Sequence, residues 1–108
     1  MYDSSEIALC AASNYSQKYF LNSDFDALPE QVKNELQILC VLFTEEVGGV
    51  IRLSFDEDGA LAIRTEADEE DILYDEIGAA LKVKQLQRDK KELFEALETY
   101  YRVFFLGA

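Results

Sequence analysis

The stretch IRLSFDEDGALAIRT, residues 51–65, decides the fold because it holds two alternating segments joined by a turn. Ile51, Leu53 and Phe55 alternate with polar residues, and apolar residues recur at Leu61 and Ile63 after the turn. A period of two is typical of strands that bury one face. The stretch therefore predicts an antiparallel hairpin.

The turn sets the register of this hairpin. We expect residues 57–59 to form a three-residue loop with Gly59 in the left-handed conformation, so that Phe55 faces Leu61. A slip of one residue would exchange the two faces of one strand. The acidic turn is not a calcium loop of the EF-hand type, because Thr65 stands where the bidentate glutamate is needed.

Two arginines face each other in this register. Arg52 lies opposite Arg64, and like charges in that position are unfavourable unless an anionic group intervenes. We hypothesise that both bind carboxylates of the acidic block, residues 56–76, of the same chain. The alternative is a bound anion, which would make the two arginines an anion-binding site.

The charge is distributed unevenly along the sequence. The chain has 22 acidic and 10 basic residues, a net charge of −12. The acidic block carries ten acids and one arginine, whereas the basic block, residues 82–91, carries five bases and one acid. Neighbouring blocks of opposite charge suggest self-association or an internal clamp, although two solvated faces are the ordinary interpretation. The excess negative charge argues against nucleic acid and anionic lipid as partners.

The segments before the hairpin predict further elements. Residues 7–22 fit two short strands with a turn at residues 14–16, while a helix over residues 7–12 is the alternative. A helix should begin around Pro29 and end at Gly48, because proline suits a helix start and glycine a C-terminal cap. Its apolar face is predicted from the spacing of Val32, Leu36, Leu39, Cys40, Phe43 and Val47.

The last third is expected to be helical from about Glu69, with Asp68 or Asp71 as the cap. Unbroken to residue 106, this helix would be about 57 Å long, whereas a domain of this size has a radius of gyration of about 13 Å. Either it breaks, at Gly78 or in KQLQRDKK (residues 84–91), or its overhang packs on a second chain. The residues expected at such an interface are Leu86, Leu93, Leu97, Tyr100, Tyr101, Phe104 and Phe105.

Composition excludes several classes of function. The chain has no histidine, which excludes Ser-His-Asp triads and histidine metal sites. Cys10 and Cys40 are expected to be structural and reduced. No apolar run reaches the 18–20 residues or so of a membrane span, and the start MYDSSE is acidic where a signal peptide is basic. We expect a cytoplasmic protein with no membrane partner, no cofactor, no metal and no catalytic residue.

Five stretches carry a resemblance to a known family: KYFLN (18–22), LPEQVKNELQ (28–37), FTEEVGG (43–49), LYDEIGAALKVKQLQ (73–87) and ETYYRVFFLG (98–107). On these stretches the chain resembles a family of small acidic bacterial proteins from clostridia that is classed as a domain of unknown function. The resemblance implies a bacterial cytoplasmic protein and assigns no activity.

Taken together, these observations predict one α+β domain over residues 1–108. Its elements should follow the order β-β-α-β-β-α, with two helices, the second long and C-terminal, covering one face of a four-stranded antiparallel sheet. The expected function is a non-enzymatic protein–protein interaction module that forms a homodimer, or binds another protein, through the C-terminal helix. The alternatives are a small enzyme or ligand-binding domain with carboxylates and tyrosines between sheet and helix, and an acidic adaptor or chaperone.

Overall fold

The computed structural model describes residues 6–107, which form a four-stranded antiparallel sheet and three helices. The elements, in chain order, are β1 (Ile7–Ser13), β2 (Lys18–Leu21), a 3-10 turn (Ser23–Phe25), α1 (Glu30–Val47), β3 (Val50–Phe55), β4 (Leu61–Glu66), α2 (Glu76–Asp89) and α3 (Lys91–Phe105). In the sheet the strands lie in the order β2-β1-β3-β4. The predicted α+β class and four-stranded antiparallel sheet are confirmed.

Strands β3 and β4 pair in the predicted register. Phe55 pairs with Leu61, and Arg52 pairs with Arg64. Ile51, Leu53 and Phe55 are fully buried, while the two arginines lie on the opposite sheet face because successive side chains of a strand alternate. The hairpin thus decides which face of the sheet meets the core.

The turn between β3 and β4 requires glycine for two reasons. Gly59 has a φ of +84°, and a Cβ atom there would lie only 2.8 Å from Cγ of Arg102. One side-chain oxygen of Asp56 accepts hydrogen bonds from the backbone N–H groups of Asp58 and Ala60 at 2.9 and 3.0 Å. The acidic residue at the start of the turn therefore closes the hairpin.

The first segment forms strands, and the helical alternative for residues 7–12 is wrong. Cys10 pairs with Leu21 and Ser13 with Lys18 in the β1–β2 hairpin. Strand β1 also pairs with β3, so its backbone groups are bonded on both sides. A bulge at Leu9 shifts the register, and Leu9 and Cys10 are both fully buried although they are consecutive.

Helix α1 has the predicted start and end. It begins directly after Pro29, and Gly48 caps it with a φ of +83° while donating its N–H to the carbonyl of Thr44 at 2.8 Å. Its buried residues are Leu36, Leu39, Cys40, Phe43 and Thr44. Cys10 and Cys40 are free thiols whose sulfur atoms lie 3.8 Å apart in the core.

The last third forms two helices, so the prediction of only two helices in the whole chain is wrong. The chain turns at Lys90 (φ −112°, ψ 23°), inside the predicted polar stretch and not at Gly78. The longest dimension of the molecule is 44 Å, less than the continuous helix would need. Helix α2 also begins later than predicted, at Glu76, where the side chain of Asp75 accepts the N–H of Gly78 at 3.0 Å.

Aromatic side chains join α3 to the sheet. The rings of Phe55 on β3 and Tyr101 on α3 are stacked, with centroids 4.3 Å apart and planes within 9°. Phe25 and Phe105 extend this stack, with centroids 4.8 Å apart. Because Tyr101 and Phe25 are also in the hydrophobic core, the end of α3 is held against the sheet.

Replacing Leu53 by Ala should lower the free energy of unfolding by about 2–5 kcal/mol, because it leaves a cavity at the centre of β3. Leu42→Ala is the matched control. That side chain is 51% exposed on α1, so the change should stay within about 0.5 kcal/mol. Urea unfolding of both variants measures the difference. Equal losses of unfolding free energy in the two variants would contradict the burial of Leu53.

Candidate functional site

The structure separates the seven predicted interface residues into three groups. Leu97 and Tyr101 are buried in the core. Phe104 and Phe105 are exposed near the end of α3, Phe104 to 70%. The remaining three are half-buried: Leu86, Leu93 and Tyr100. Side chains of the core are not available to a partner, so within this set the exposed residues near the chain end are the available contact.

Four consecutive residues at the end of α3 are apolar and exposed. We call this segment the C-terminal patch, and its members are Val103, Phe104, Phe105 and Leu106. Tyr100 supports it from the preceding turn, since its ring centroid lies 4.8 Å from that of Phe104. Phe105 also stacks on Tyr101, so the patch is continuous with the core.

Helix α2 carries a second apolar surface that the predicted interface omitted. Its inner side buries Ala79 and packs Val83 and Leu86 against the core. Its outer side exposes Ile77 and Leu81, to 75% and 63%. These two lie on a stripe with a 4–3–4 spacing that we call the outer stripe, formed by Ile77, Leu81, Lys84 and Arg88.

The segment that leads into α2 extends this exposed surface. Ile72 and Leu73 are each 90% exposed. The sequence indicates that Ile72, Ile77 and Leu81 share one helical stripe, but spacing does not show which of two apolar stripes on α2 turns inward. Helix α2 has 14 residues and two apolar stripes. Because one side of it packs on the core, the second stripe indicates a surface that lacks a partner within the chain.

A groove separates α1 from α2. It encloses about 540 Å³. Leu39, Phe43 and Leu86 lie along it, and Ile38 and Leu42 of α1 line it as well. The last two are more than half exposed to solvent. The groove is thus an apolar cleft between two helices.

Two ion pairs cross this groove to α1, one from α2 and one from the residue that follows α2. Nζ of Lys82 lies 2.6 Å from a carboxylate oxygen of Glu46, and Nζ of Lys90 lies 3.0 Å from one of Glu35. They consume two of the five cations of the basic block. Lys90 stands at an apolar position of the helical pattern, and this bond explains why a cation is accommodated there.

Arg52 and Arg64 are both engaged with carboxylates. Arg52 lies 2.9 Å from Glu66, a member of the acidic block. Arg64 bonds Glu6, which lies outside that block and is buried although the arginine is half exposed. Ser54 donates a further hydrogen bond to Glu6 at 2.8 Å. On the sheet face opposite the core, both arginines are therefore paired with glutamates of the same chain.

The hydrogen bonds to Glu6 affect the pKa of its carboxyl group. Hydrogen bonds from Arg64 and then Ser54 stabilise the ionised form and hold the pKa of the Glu6 carboxyl below its ordinary value, against the opposing effect of burial. The carboxylate is therefore ionised at neutral pH. Its contacts are those of a structural ion pair on the sheet.

An acidic depression lies between β4 and α2. It encloses about 490 Å³, and Tyr74 lines it beside several carboxylates. The hydroxyl of Tyr15 donates to Asp71 at 2.7 Å and accepts the N–H of Asp68 at 3.0 Å, which ties the acidic segment to the β1–β2 turn. Nowhere in residues 6–107 do three His, Cys, Asp or Glu side chains lie close enough to hold a metal ion.

The Cys40 thiol is a poor nucleophile. The hydrogen bond with Cys10 and burial in the core raise the pKa of the Cys40 thiol. Burial raises the pKa of the neighbouring Tyr19 as well. Both groups are protonated at neutral pH, which suits core packing and not covalent catalysis.

The comparisons identify the chain only at the level of its family. The model of a family of unknown function, DUF6145, matches residues 6–108. The chain belongs to this family. No curated protein and no solved structure matches the DUF6145 chain. None of the helices in the described part of the chain is long and apolar enough to cross a membrane.

Replacing Glu6 by Gln should lower the free energy of unfolding at pH 7 by about 1.5–3 kcal/mol, the range for hydrogen bonds to a charged group. The folded pKa is depressed, so this stabilisation is present above the unfolded pKa and is lost as the pH falls through the folded pKa. The difference between wild type and variant should therefore shrink below about pH 4.5. Urea unfolding at pH 7, 5 and 3 measures it.

The control for this prediction is Glu66→Gln. Glu66 also pairs with an arginine of the same sheet face, but its side chain is 59% exposed. An exposed pair contributes about 0–1 kcal/mol. A gap between wild type and Glu6→Gln that stays constant from pH 7 to pH 3 would contradict the depressed pKa.

Proposed function

We propose that this DUF6145 chain is a non-enzymatic protein–protein interaction module that self-associates as a homodimer through its C-terminal helices. The observation that carries the proposal is where apolar surface is exposed. Among residues 6–107, thirteen large hydrophobic residues are exposed, and eight of them lie between residues 72 and 106. Scattered exposed hydrophobics are ordinary, but contiguous ones on a polar background are typical of protein contacts.

The composition of this region supports a protein partner. Phenylalanine, tyrosine and arginine are enriched in protein interfaces. The C-terminal patch contains Phe104 and Phe105 with Tyr100 behind them, and the outer stripe ends in Arg88. Both surfaces lie on helices whose opposite sides pack on the core, so they are preorganised for contact.

The state of the reactive side chains supports binding over catalysis. The thiols of Cys10 and Cys40 are buried. Arg52 and Arg64 hold carboxylates of the chain itself. A catalytic group must be accessible and have a pKa suited to its task, and these groups serve packing and ion pairing.

Binding of a small molecule is the second candidate, and the groove between α1 and α2 favours it. Its volume of about 540 Å³ is within the range of ligand sites, and its lining is largely apolar. The acidic depression, with Tyr74 and its carboxylates, offers the residue types that the sequence assigned to a pocket between sheet and helix. A ligand could bind in the groove or in the acidic depression of a monomer, without self-association.

Light scattering on the full chain is the test of the proposed function. We expect a mass of twice 12.3 kDa at concentrations of about 10–100 μM, because apolar surface of this extent is stabilised when a second copy excludes water from it. A constant mass of 12.3 kDa over that range would contradict self-association.

A thermal-shift screen with metals, nucleotides and common metabolites discriminates the second candidate. A ligand at 100 times its dissociation constant stabilises the native state by about 2.7 kcal/mol, which raises the melting temperature by several degrees. A shift that Leu42→Asp in the groove abolishes would favour ligand binding there. No shift from any compound, together with a dimeric mass, is the result that we expect.

A further inference from the structure

The surface along α2 changes its chemistry from one end to the other. The first end is acidic, with Glu76 in the first turn of the helix and Glu70 six residues before its start. The middle is apolar, with Ile77 and Leu81 exposed. The last end is basic, with Lys84 and Arg88 on the outer stripe and Lys91 just beyond it.

Three cations of the basic end form no ion pair within the described part of the chain. Lys82 and Lys90 of the basic block have ion-pair partners on α1. Lys84, Arg88 and Lys91 are exposed and form no ion pair with any of residues 6–107. Three cations thus face solvent beside an apolar surface.

The acidic end of the same helix cannot neutralise them. Glu76 and Arg88 are twelve residues apart, which is about 18 Å along a helix. The Debye length at physiological ionic strength is about 8 Å, so charges at this separation are largely screened from each other. For the same reason, the repulsion between two copies that each carry a net charge of −12 is largely screened. The charges close to the contact therefore decide whether two copies attract.

An antiparallel copy of α2 would complement this pattern. Two antiparallel helices related by a two-fold axis place the start of each beside the end of the other, so that Glu70 and Glu76 of one copy would meet Lys84 and Arg88 of its partner. Ile77 and Leu81 would be covered at the centre. A parallel arrangement would place like charges together at both ends, which is unfavourable.

We infer that the outer stripe of α2 is the self-association surface, and that α2 of one copy packs antiparallel on α2 of a second copy. This inference rests on the proposed self-association and adds the surface and its orientation. The partner is a second copy because this surface is self-complementary. Its acidic end can pair with the basic end of another copy, and its apolar centre can pack on the same apolar centre.

The first experiment compares three single variants by light scattering on the full chain. Leu81→Asp introduces charge at the centre of the contact and should raise the dissociation constant of the dimer at least about tenfold, the effect of a contact residue that matters. Leu42→Asp, at an exposed leucine of α1, should leave it unchanged. Phe104→Asp, in the C-terminal patch, should raise it by less than Leu81→Asp does. Circular dichroism checks that each variant is folded.

The second experiment exchanges the charges. The double variant Lys84→Glu/Arg88→Glu makes the two contact cations acidic, and Glu70→Lys/Glu76→Lys makes the two contact acids basic. Each should be monomeric alone, because an antiparallel pair would then join like charges. An equimolar mixture of the two should recover the dimer mass, since each end of one chain meets the opposite charge on the other. This recovery also excludes misfolding as the cause of the loss.

The outcomes separate this inference from the proposed function. A monomeric wild type would overturn both. A dimeric wild type that Phe104→Asp dissociates and Leu81→Asp does not would place the contact on α3, overturning the inference and leaving self-association intact. Charge variants that remain dimeric alone, or a mixture that stays monomeric, would overturn the antiparallel arrangement.

Discussion

Lys90 occupies a position where the helical pattern of the last third has apolar residues, and its ammonium group bonds Glu35 on α1. At this residue the chain leaves the helical conformation, and α2 and α3 become separate helices. The rest of the C-terminal architecture depends on that turn. It lets α3 bring Phe94, Leu97 and Tyr101 into the core, while α2 lies along α1 and keeps one side exposed.

The sheet and the groove differ from the outer stripe and the C-terminal patch in how their side chains are partnered. Three cations of the sheet and the groove have partners in the chain itself: Arg52 with Glu66, Arg64 with Glu6, and Lys82 with Glu46. The apolar side chains of the outer stripe and of the C-terminal patch do not have equivalent cover. Because burial of apolar area is the main favourable term in association, this exposed apolar surface is what supports the proposed contact with a protein.

Much of the sheet could be predicted because its signals are local. The alternation of Ile51, Leu53 and Phe55 identifies a half-buried strand, and Gly59 with Asp56 sets a turn that allows one register. The ends of α1 follow in the same way from Pro29 and Gly48. The bulge at Leu9 had no such signal, since it arises from how β1 fits between two neighbours.

The candidate surface was harder to predict because it depends on packing. The sequence marked Leu97, Tyr101 and Phe104 alike as apolar residues of one helix, whereas the structure buries the first two and exposes the third. The sequence also placed Ile77 and Leu81 on one apolar stripe. It did not show that Ala79 and Val83 would lie on the side of α2 that faces the core. Periodicity indicates which residues share a face, but the choice between two faces depends on what lies opposite them.

By itself, therefore, the sequence determined the class of fold, the register of the β3–β4 hairpin, the ends of α1 and the opposite charges of the two blocks. These follow from neighbours a few residues apart, where backbone conformation and side-chain alternation act directly. Only the tertiary structure decided that the last third turns at Lys90, that the arginines of the sheet have internal counterions, and that α2 exposes its outer stripe. Each of these depends on groups far apart in the chain, such as Lys90 and Glu35, and their meeting is a consequence of the completed core.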